Sequence, residues 1–255
     1  MLDQSALPMR QIPLDLGPVA MPGLVDFVVG DNAQALAWLR AWPDVWVQSG
    51  SVRLPVAYFW GPAGSGKTHL LRAMISRALD QGYSVIWVSP QQGCQMWDAD
   101  DPSAPTLALI DDCDRLDTHL QHLAFNLFIE AASGAAAVAG GALGVQSCAL
   151  SIVASGLVPP VDLQVRDDLR TRLGWGLIFS LSTLSEPCVR DALQGEASRR
   201  GIALADGVVS YLLTRYSRDL SFLMALLDRL DRFALAEHRT VTVPLLKQML
   251  ALETA

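Results

Sequence analysis

A short glycine-containing segment of this chain has the residue types and spacing to bind the phosphate groups of a nucleotide. Residues 61–68 read GPAGSGKT and match the pattern G-x-x-x-x-G-K-[ST] in full. Glycines let the backbone turn so that successive amide groups point at one anion, and the start of a following helix adds partial positive charge. Lys67 would bridge the β- and γ-phosphates, and the Thr68 hydroxyl would ligate Mg²⁺. The expected nucleotide contacts in this segment are Gly61, Gly64, Ser65, Gly66, Lys67, Thr68 and His69.

The flanking sequence has the pattern that this phosphate-binding motif requires. The apolar run Val56–Trp60 comes before it and predicts a strand, and an amphipathic helical period follows at Thr68–Gln81. A strand, a turn and a helix in that order form the usual setting of such a loop. The alternative is a glycine-rich turn that matches by chance, and the two neighbouring elements argue against it.

A pair of aspartates supplies a second candidate group for the same chemistry. The apolar run Thr106–Ile110 predicts a strand, and Asp111 and Asp112 follow it directly. A carboxylate at the tip of a strand beside a phosphate-binding loop can hold the ligand shell of Mg²⁺. Asp111 is the candidate magnesium ligand, and Asp112 lies where a water-activating acid would be expected. An ordinary strand end gives the same local pattern, so this assignment depends on the loop upstream.

Five apolar runs, each bounded by breaking residues, predict the strands of the sheet that must position these groups. Helical periods separate the first four runs, notably at Thr68–Gln81 and Leu116–Ala132, and a short helical segment near Arg166–Leu173 precedes the last. Strands that alternate with helices in this way are typical of a parallel sheet covered on both faces. We predict an α/β fold with a parallel five-stranded sheet, whose strands are Pro55–Trp60, Ser84–Val88, Thr106–Ile110, Ala149–Ala154 and Leu177–Leu181.

After Leu181 the sequence pattern becomes entirely helical. Ser185 and Pro187 begin a helix that Gly201 ends. Further helices are predicted at Asp206–Tyr216, Arg218–Ala236 and Val243–Leu252. The first residues of the chain are rich in proline, which favours an extended tail. The predicted domains are a tail at 1–23, an α/β nucleotide-binding domain at 24–182 and a small all-helical domain at 183–255.

The composition of the chain narrows the classes of function. The 255 residues carry a formal net charge of −7, which repels a phosphate backbone and argues against tight DNA binding without a partner. The four cysteines have neither the spacing of a zinc site nor that of a disulfide framework. The apolar stretch Ala131–Leu150 is built largely of Ala and Gly, which gain little from transfer into lipid. Without a signal-peptide pattern either, we expect a cytoplasmic protein with no membrane contact.

Taken together, these segments resemble the DnaA/Hda family of AAA+ ATPases over nearly the whole chain. The likeness is greater to the branch of that family in which a helical lid ends the protein without a helix-turn-helix module. The segment Phe27–Asn32, FVVGDN, is similar to the family's entry segment, which implies that Val29 lies against the adenine. The residues LIDD at 109–112 resemble its magnesium-binding strand. The segment Arg218–Arg232 resembles part of the family's lid domain.

The same resemblance implies a role for one arginine. Residues 169–176, LRTRLGWG, are similar to the family's S-R-L-x-W-G segment, so Arg172 corresponds to the arginine finger. Arg170 and Arg166 are rivals for that role. The alternative for Arg172 is a surface ion pair with a neighbouring aspartate, either Asp167 or Asp168.

Two further positions follow from the resemblance, and one of them departs from it. Ser155 falls near the family's polar sensor at the end of the fourth strand, although the local match is loose. Ser221 stands at the lid position where relatives carry a nucleotide-sensing arginine. Without that charge, sensing and hydrolysis of the protein's own γ-phosphate are in doubt, whereas ADP binding needs mainly the phosphate-binding loop.

The N-terminal tail carries a short pattern typical of a clamp-binding peptide. Gln11-Ile12-Pro13-Leu14-Asp15-Leu16 is similar to the Q-L-x-L-x-L peptides that bind the DNA polymerase sliding clamp. In such a peptide the Gln11 side chain would fix the backbone by hydrogen bonds, while Leu14 and Leu16 would fill an apolar pocket.

The resemblance therefore implies a regulator that uses ADP or ATP with Mg²⁺ and acts on DnaA. Held near the initiator by a DNA-loaded sliding clamp, the protein would supply Arg172 in trans and would turn over ATP poorly itself. DNA would be reached only through the clamp, and a homo-oligomer is compatible with the family. The first alternative is a self-sufficient AAA+ ATPase that loads or remodels a DNA-bound complex, as helicase loaders do. The second is a structural adaptor whose loop no longer binds nucleotide.

Overall fold

The computed structural model of the chain describes residues 22–43, 56–101, 104–139, 150–216 and 219–253. They belong to two compact units, one within Ala20–Leu184 and the other within Ser185–Ala255. The first unit contains a β-sheet with helices on its faces, and the second contains helices. Among the described helices, none combines the length and the apolar character needed to cross a membrane.

The sheet of the first unit has six strands, one more than the sequence predicts. In spatial order the strands are β3-β2-β4-β5-β1-β6. Strand β3 is antiparallel to β2, and all other neighbouring pairs are parallel. The strands are β1 (Val56–Trp60), β2 (Ser84–Ser89), β3 (Gly93–Trp97), β4 (Thr106–Ile110), β5 (Leu150–Gly156) and β6 (Leu177–Ser180).

The five predicted parallel strands are all present, and the structure adds β3, which lacks the sequence signal that identified the others. Its residues GCQMW do not form an apolar run, and the strand is exposed along most of its length. It lies at the edge of the sheet, where only one side needs a partner strand. Gly93, with φ +69°, begins the strand opposite Ser89 and closes a short hairpin with β2. An antiparallel edge strand on a parallel sheet is a common addition.

The strand register brings the carboxyl ends of three strands to one edge of the sheet. Strand β5 lies between β1 and β4, with Phe59 opposite Ser155 and Ile110 opposite Ala154. The loop that follows β1 and the acidic pair that follows β4 therefore lie on either side of the end of β5. This is the edge at which open parallel sheets bind ligands.

Helices cover both faces of the sheet and divide the core into two layers. Alternate residues of a strand point to opposite faces, and the neighbours Tyr58 and Phe59 of β1 accordingly belong to different core clusters. The Phe59 cluster includes residues of α1 and α2, and the Tyr58 cluster includes residues of α3 and α4. These helices are α1 (Ala33–Ala41), α2 (Lys67–Asp80), α3 (Thr118–Ala139) and α4 (Asp167–Leu173).

The second unit is all-helical in its described residues, as predicted. Gly201, with φ +71°, follows the end of its first helix, and Asp219 caps its third. Its buried side chains include Val189, Leu193, Val208, Leu226, Leu230 and Leu246. The helices are α5 (Glu186–Arg199), α6 (Asp206–Arg215), α7 (Leu220–Ala236) and α8 (Val243–Glu253).

The N-terminal cap of α7 offers a direct test of this unit. The Asp219 carboxylate accepts hydrogen bonds from the backbone amides of Ser221, at 2.9 Å, and Phe222, at 3.3 Å. We expect Asp219→Ala to lower the free energy of unfolding by about 1 kcal/mol, because two amide groups lose their partner. Asp219→Asn keeps an accepting oxygen and should unfold close to wild type. Urea unfolding followed by circular dichroism measures both variants, and equal midpoints for alanine and wild type would contradict the capping role.

Candidate functional site

The glycines of the phosphate-binding loop are required by its backbone conformation and by close neighbours. Gly64 and Gly66 have φ angles of +77° and +91°, which favour glycine over any residue with a side chain. Gly61 has a different reason, since a Cβ there would collide with the carbonyl oxygen of Leu181. Helix α2 begins directly after Gly66, and no acidic residue occupies its first turn. Its first amide groups and its partial positive charge are thus suited to an anion.

Two buried polar side chains line this loop. Lys67 is 5% exposed, and its Nζ donates to the carbonyls of Gly61 at 2.7 Å and Pro62 at 2.9 Å. Burial lowers the pKa of this amine, while the carboxylates of Asp112, Asp111 and Asp114 act in the opposite direction.

The Ser65 hydroxyl is buried and has no hydrogen-bond partner among the described residues. A buried hydroxyl without a partner fits a site whose remaining oxygen or nitrogen atoms come from a ligand.

The two predicted magnesium ligands lie together next to this loop. Ser155 Oγ donates to Asp111 Oδ1 at 2.6 Å, and the Thr68 hydroxyl is close enough to Asp111 to lower the pKa of its carboxyl group. Burial raises the pKa of Asp111, and the side chains of Ser155 and Thr68 lower it. Magnesium in nucleotide sites takes one or two protein oxygens together with phosphate oxygens and water. Thr68 and Asp111 fit that donor set.

Ser155 connects the acidic pair to the end of β5. Its hydroxyl is fully buried, and it accepts a hydrogen bond from the backbone amide of Asp112 at 3.1 Å while donating to Asp111. Asp112 adopts a left-handed conformation with φ +50°, which turns the chain sharply after β4. Its carboxylate is partly exposed and lies 3.9 Å from Arg115. The predicted role of Asp112 in activating water stays a prediction.

The entry segment packs beside the loop through residues that the sequence analysis did not single out. The Phe27 ring lies against Gly66, where a Cβ would come within 2.7 Å of Phe27 Cε2. Asn32 fastens the segment to the chain after β6, because its side chain both donates to the Ser182 carbonyl and accepts from the Ser182 amide. Val29, the predicted adenine contact, is half-buried against the core cluster of α1 and α2. A Phe and an Asn within the entry segment are the sequence signal that could have marked these positions.

His69 lies between the loop and the entry segment. Its ring centroid is 5.8 Å from that of Phe27, and its Nε2 is buried without a hydrogen-bond partner among the described residues. Burial lowers the pKa of His69, and a hydrogen bond with the Gly23 backbone acts in the opposite direction. The lowered pKa favours the neutral imidazole, and the predicted contact of His69 with the nucleotide stays a prediction.

The three candidate finger arginines differ in their partners. Arg166 forms an ion pair with Asp168 at 2.6 Å, and Arg170 forms one with Asp167 at 2.7 Å. Within the described part of the chain Arg172 makes no ion pair, so the alternative of a salt bridge from Arg172 to either aspartate is wrong. Its guanidinium instead stacks on the Trp175 ring, with 4.1 Å from Cζ to the ring centroid.

Four other predicted positions are not among the described residues of the first unit. Gln11, Leu14 and Leu16 lie outside the described residues. Ser221 belongs to the helical unit, where it occupies the first turn of α7 and donates its backbone amide to Asp219.

Comparison with protein families identifies the helical unit first. The family model described as "Hda, lid domain" matches residues 188–250. An uncharacterized protein from Haemophilus influenzae is 30% identical over 248 residues, which cover 95% of this chain and 99% of that protein. The similarity to this relative therefore extends over both units.

Solved structures show the same fold. Domain III of the replication initiation protein DnaA from Thermotoga maritima aligns with a TM-score of 0.64 at 17% identity, covering 91% of this chain and 98% of that chain. AMPPCP-bound DnaA from Aquifex aeolicus aligns with a TM-score of 0.56 at 21% identity, covering 81% of this chain and 65% of that one. The Thermotoga maritima RuvB Holliday junction branch migration motor aligns at 0.55 and 15% identity, covering 86% and 68%.

The fold, the loop geometry and the lid thus agree with one another. The predicted AAA+ architecture is confirmed, with its parallel core sheet and helical lid, apart from the additional antiparallel strand. On the lid match and the DnaA-like fold, the chain belongs to the DnaA/Hda-related AAA+ proteins.

Proposed function

We propose that this DnaA-related protein binds an adenine nucleotide with Mg²⁺ and, on a DNA-loaded sliding clamp, promotes hydrolysis of the ATP held by DnaA. Such an activity would prevent replication from starting again too soon. The observation that carries the proposal is the position of Arg172, a charged side chain that no carboxylate among the described residues neutralises. The segment that carries it joins the sheet near the start of β1, whereas the protein's own phosphate-binding loop follows the end of β1.

That distance follows from the sheet. Arg172 precedes β6, whose first residue Leu177 pairs with Ala57 near the start of β1, whereas the loop follows Trp60 at the end of β1. Strands rise about 3.3 Å per residue, so the length of β1 separates the two edges by roughly 15 Å. An arginine near the far edge is therefore better suited to the nucleotide site of a neighbouring ATPase than to that of its own chain.

Binding of a nucleotide by this chain is supported by its own residues and by a relative. Loop amides and Lys67 would hold the phosphates, and Thr68 and Asp111 would hold Mg²⁺, which when bound neutralises part of the phosphate charge. DnaA from Aquifex aeolicus has been solved with AMPPCP. We favour ADP for this chain because Ser221 offers no charge to a γ-phosphate.

The action on DnaA would be electrostatic. Charge that develops on the transferred phosphoryl group is stabilised by a positioned guanidinium, and arginine fingers supplied in trans act in this way. Arg172 would provide that charge to ATP bound by DnaA. Arg166 and Arg170 are less suitable, because each would first have to leave its aspartate.

The clamp would bring the partners together. The tail residues Gln11, Leu14 and Leu16 would bind the clamp, which raises the local concentration of this protein near DnaA. The net charge of −7 is consistent with reaching DNA through the clamp and not directly. A cytoplasmic location, where replication takes place in bacteria, is part of the proposal.

The first test concerns the nucleotide site. We expect Lys67→Ala to weaken ADP binding in isothermal titration calorimetry by about 30- to 100-fold, since a charge-assisted contact with phosphate is lost. Lys247→Ala is the matched control, because Lys247 lies on α8 over the Tyr211 ring in the helical unit. Unchanged affinity in Lys67→Ala, or no binding by the wild-type chain, would contradict the nucleotide site.

The second test concerns the finger. In a mixture of DNA-loaded clamp, ATP-bound DnaA and this protein, Arg172→Ala should reduce stimulated ADP formation by about 10³-fold or to background. Arg170→Ala should retain most of the stimulation, since that side chain is engaged by Asp167. Rapid ATP turnover by this chain alone, or full stimulation by Arg172→Ala, would rule out action in trans.

The third test distinguishes binding of the tail to the clamp from nucleotide binding by the chain. Gln11→Ala should abolish stimulation at low protein concentration while leaving ADP affinity unchanged, because it removes only the hydrogen bonds that fix the tail peptide. Gln4→Ala, in the same tail but outside the motif, should behave as wild type. If the two variants stimulate equally, the tail does not hold the clamp as proposed.

A further inference from the structure

We infer that Trp175 is a positioning residue that keeps the Arg172 guanidinium free of neighbouring carboxylates and ready for a partner. The inference rests on the proposed function of Arg172 and concerns a residue to which that function gives no role. Trp175 is 54% exposed, although it is the largest side-chain type and has a core nearby. One reason to hold an indole at the surface is the cation stacked on it at 4.1 Å.

The backbone on both sides fixes the position of the ring. The Trp175 amide donates to the Arg172 carbonyl at 3.1 Å, at the end of α4. The next residue, Gly176, packs so closely on the Val56 carbonyl that no Cβ would fit there. Strand β6 then begins at Leu177, paired with Ala57. The backbone of Trp175 is therefore held between a helix end and the sheet, which keeps its ring beside the arginine.

A competing partner for Arg172 is close along the same helix. Asp168 and Arg172 stand at positions i and i+4 of α4, a spacing at which opposite charges attract each other. In the structure Asp168 instead binds Arg166 at 2.6 Å and accepts a hydrogen bond from the Leu169 amide at 2.7 Å. Two contacts thus keep the ion pair between Asp168 and Arg172 from forming. The Trp175 ring binds Arg172, and Arg166 binds Asp168.

The strength of the stack sets the expected size of the effect. A cation over an indole is worth about 0.5–2 kcal/mol, which corresponds to a change of roughly 2- to 30-fold in the population of the stacked state. Phe125 of α3 also faces Arg172, but at 6.0 Å, so Trp175 is the nearer ring. Removal of the indole would let the guanidinium turn towards Asp168. The ready population would fall, and the maximal rate of stimulated hydrolysis would fall with it.

The experiment uses the full chain with DNA-loaded clamp and ATP-bound DnaA, and compares Trp175→Leu with Trp175→Phe. Leucine keeps apolar bulk without a ring, so the maximal rate should fall about 5- to 30-fold while the half-saturating concentration changes less than about twofold. Phenylalanine keeps a ring face and should stay within about threefold of wild type. ADP affinity and the urea midpoint of each variant report whether the fold is intact.

A second substitution tests whether Asp168 is the group that competes for Arg172. Adding Asp168→Asn to Trp175→Leu removes the competing charge and should restore most of the maximal rate, while Asp168→Asn alone should stay near wild type. Three results would overturn the inference: an unchanged maximal rate in Trp175→Leu, a change confined to the half-saturating concentration, or a lost rate that Asp168→Asn does not restore. If Arg172→Ala itself retains stimulation, the proposed function fails instead, so the two failures are distinguishable.

Discussion

The geometry of the candidate nucleotide site depends on one buried hydroxyl. Ser155 Oγ is closed off from solvent at the end of β5, where it donates to Asp111 and accepts from the Asp112 amide. A buried carboxylate is costly unless hydrogen bonds satisfy it. Asp111 receives one from Ser155, and Thr68 in the loop is close enough to lower its pKa. The ends of β4 and β5 and the first turn of α2 are thereby joined through a single acidic group, which is the group that a magnesium ion would need.

The register of the sheet brings Ser155 and the acidic pair together. Because β5 lies between β1 and β4, a residue near its end faces both the phosphate-binding loop and the acidic pair. The chain beyond Ser155 is held by Tyr58, whose hydroxyl donates to the Val158 carbonyl at 2.9 Å, while Gly156 leaves room for that hydroxyl. The packing of one core layer thus fixes the direction in which the chain leaves the site.

Features of the fold and the site could be predicted from the sequence when their signal lies within a few neighbouring residues, and not when they depend on tertiary contacts. The loop, Asp111 and the strands with continuous apolar runs were predicted, because each signal lies within a few neighbouring residues. Strand β3 was missed since its side chains are exposed and its pairing with β2 is a tertiary contact. The sequence left Arg166, Arg170 and Arg172 as rivals, and it left open an ion pair of Arg172 with Asp167 or Asp168. Only the side-chain contacts show which arginine is paired with which carboxylate.

The phosphate-binding loop and the segment with Arg172 meet the sheet at opposite ends of β1. That arrangement constrains what the protein can do. The phosphate-binding loop follows β1, while the segment with Arg172 and Trp175 packs against the residue that begins β1. Under the proposed function, the loop and Arg172 would therefore act on one nucleotide only across two chains. A second copy of this protein would satisfy the geometry as well as DnaA would. We favour DnaA as the partner because Ser221 is uncharged. A lid without a charge for the chain's own γ-phosphate fits the proposed action on a partner's nucleotide better than it fits repeated hydrolysis by the chain itself.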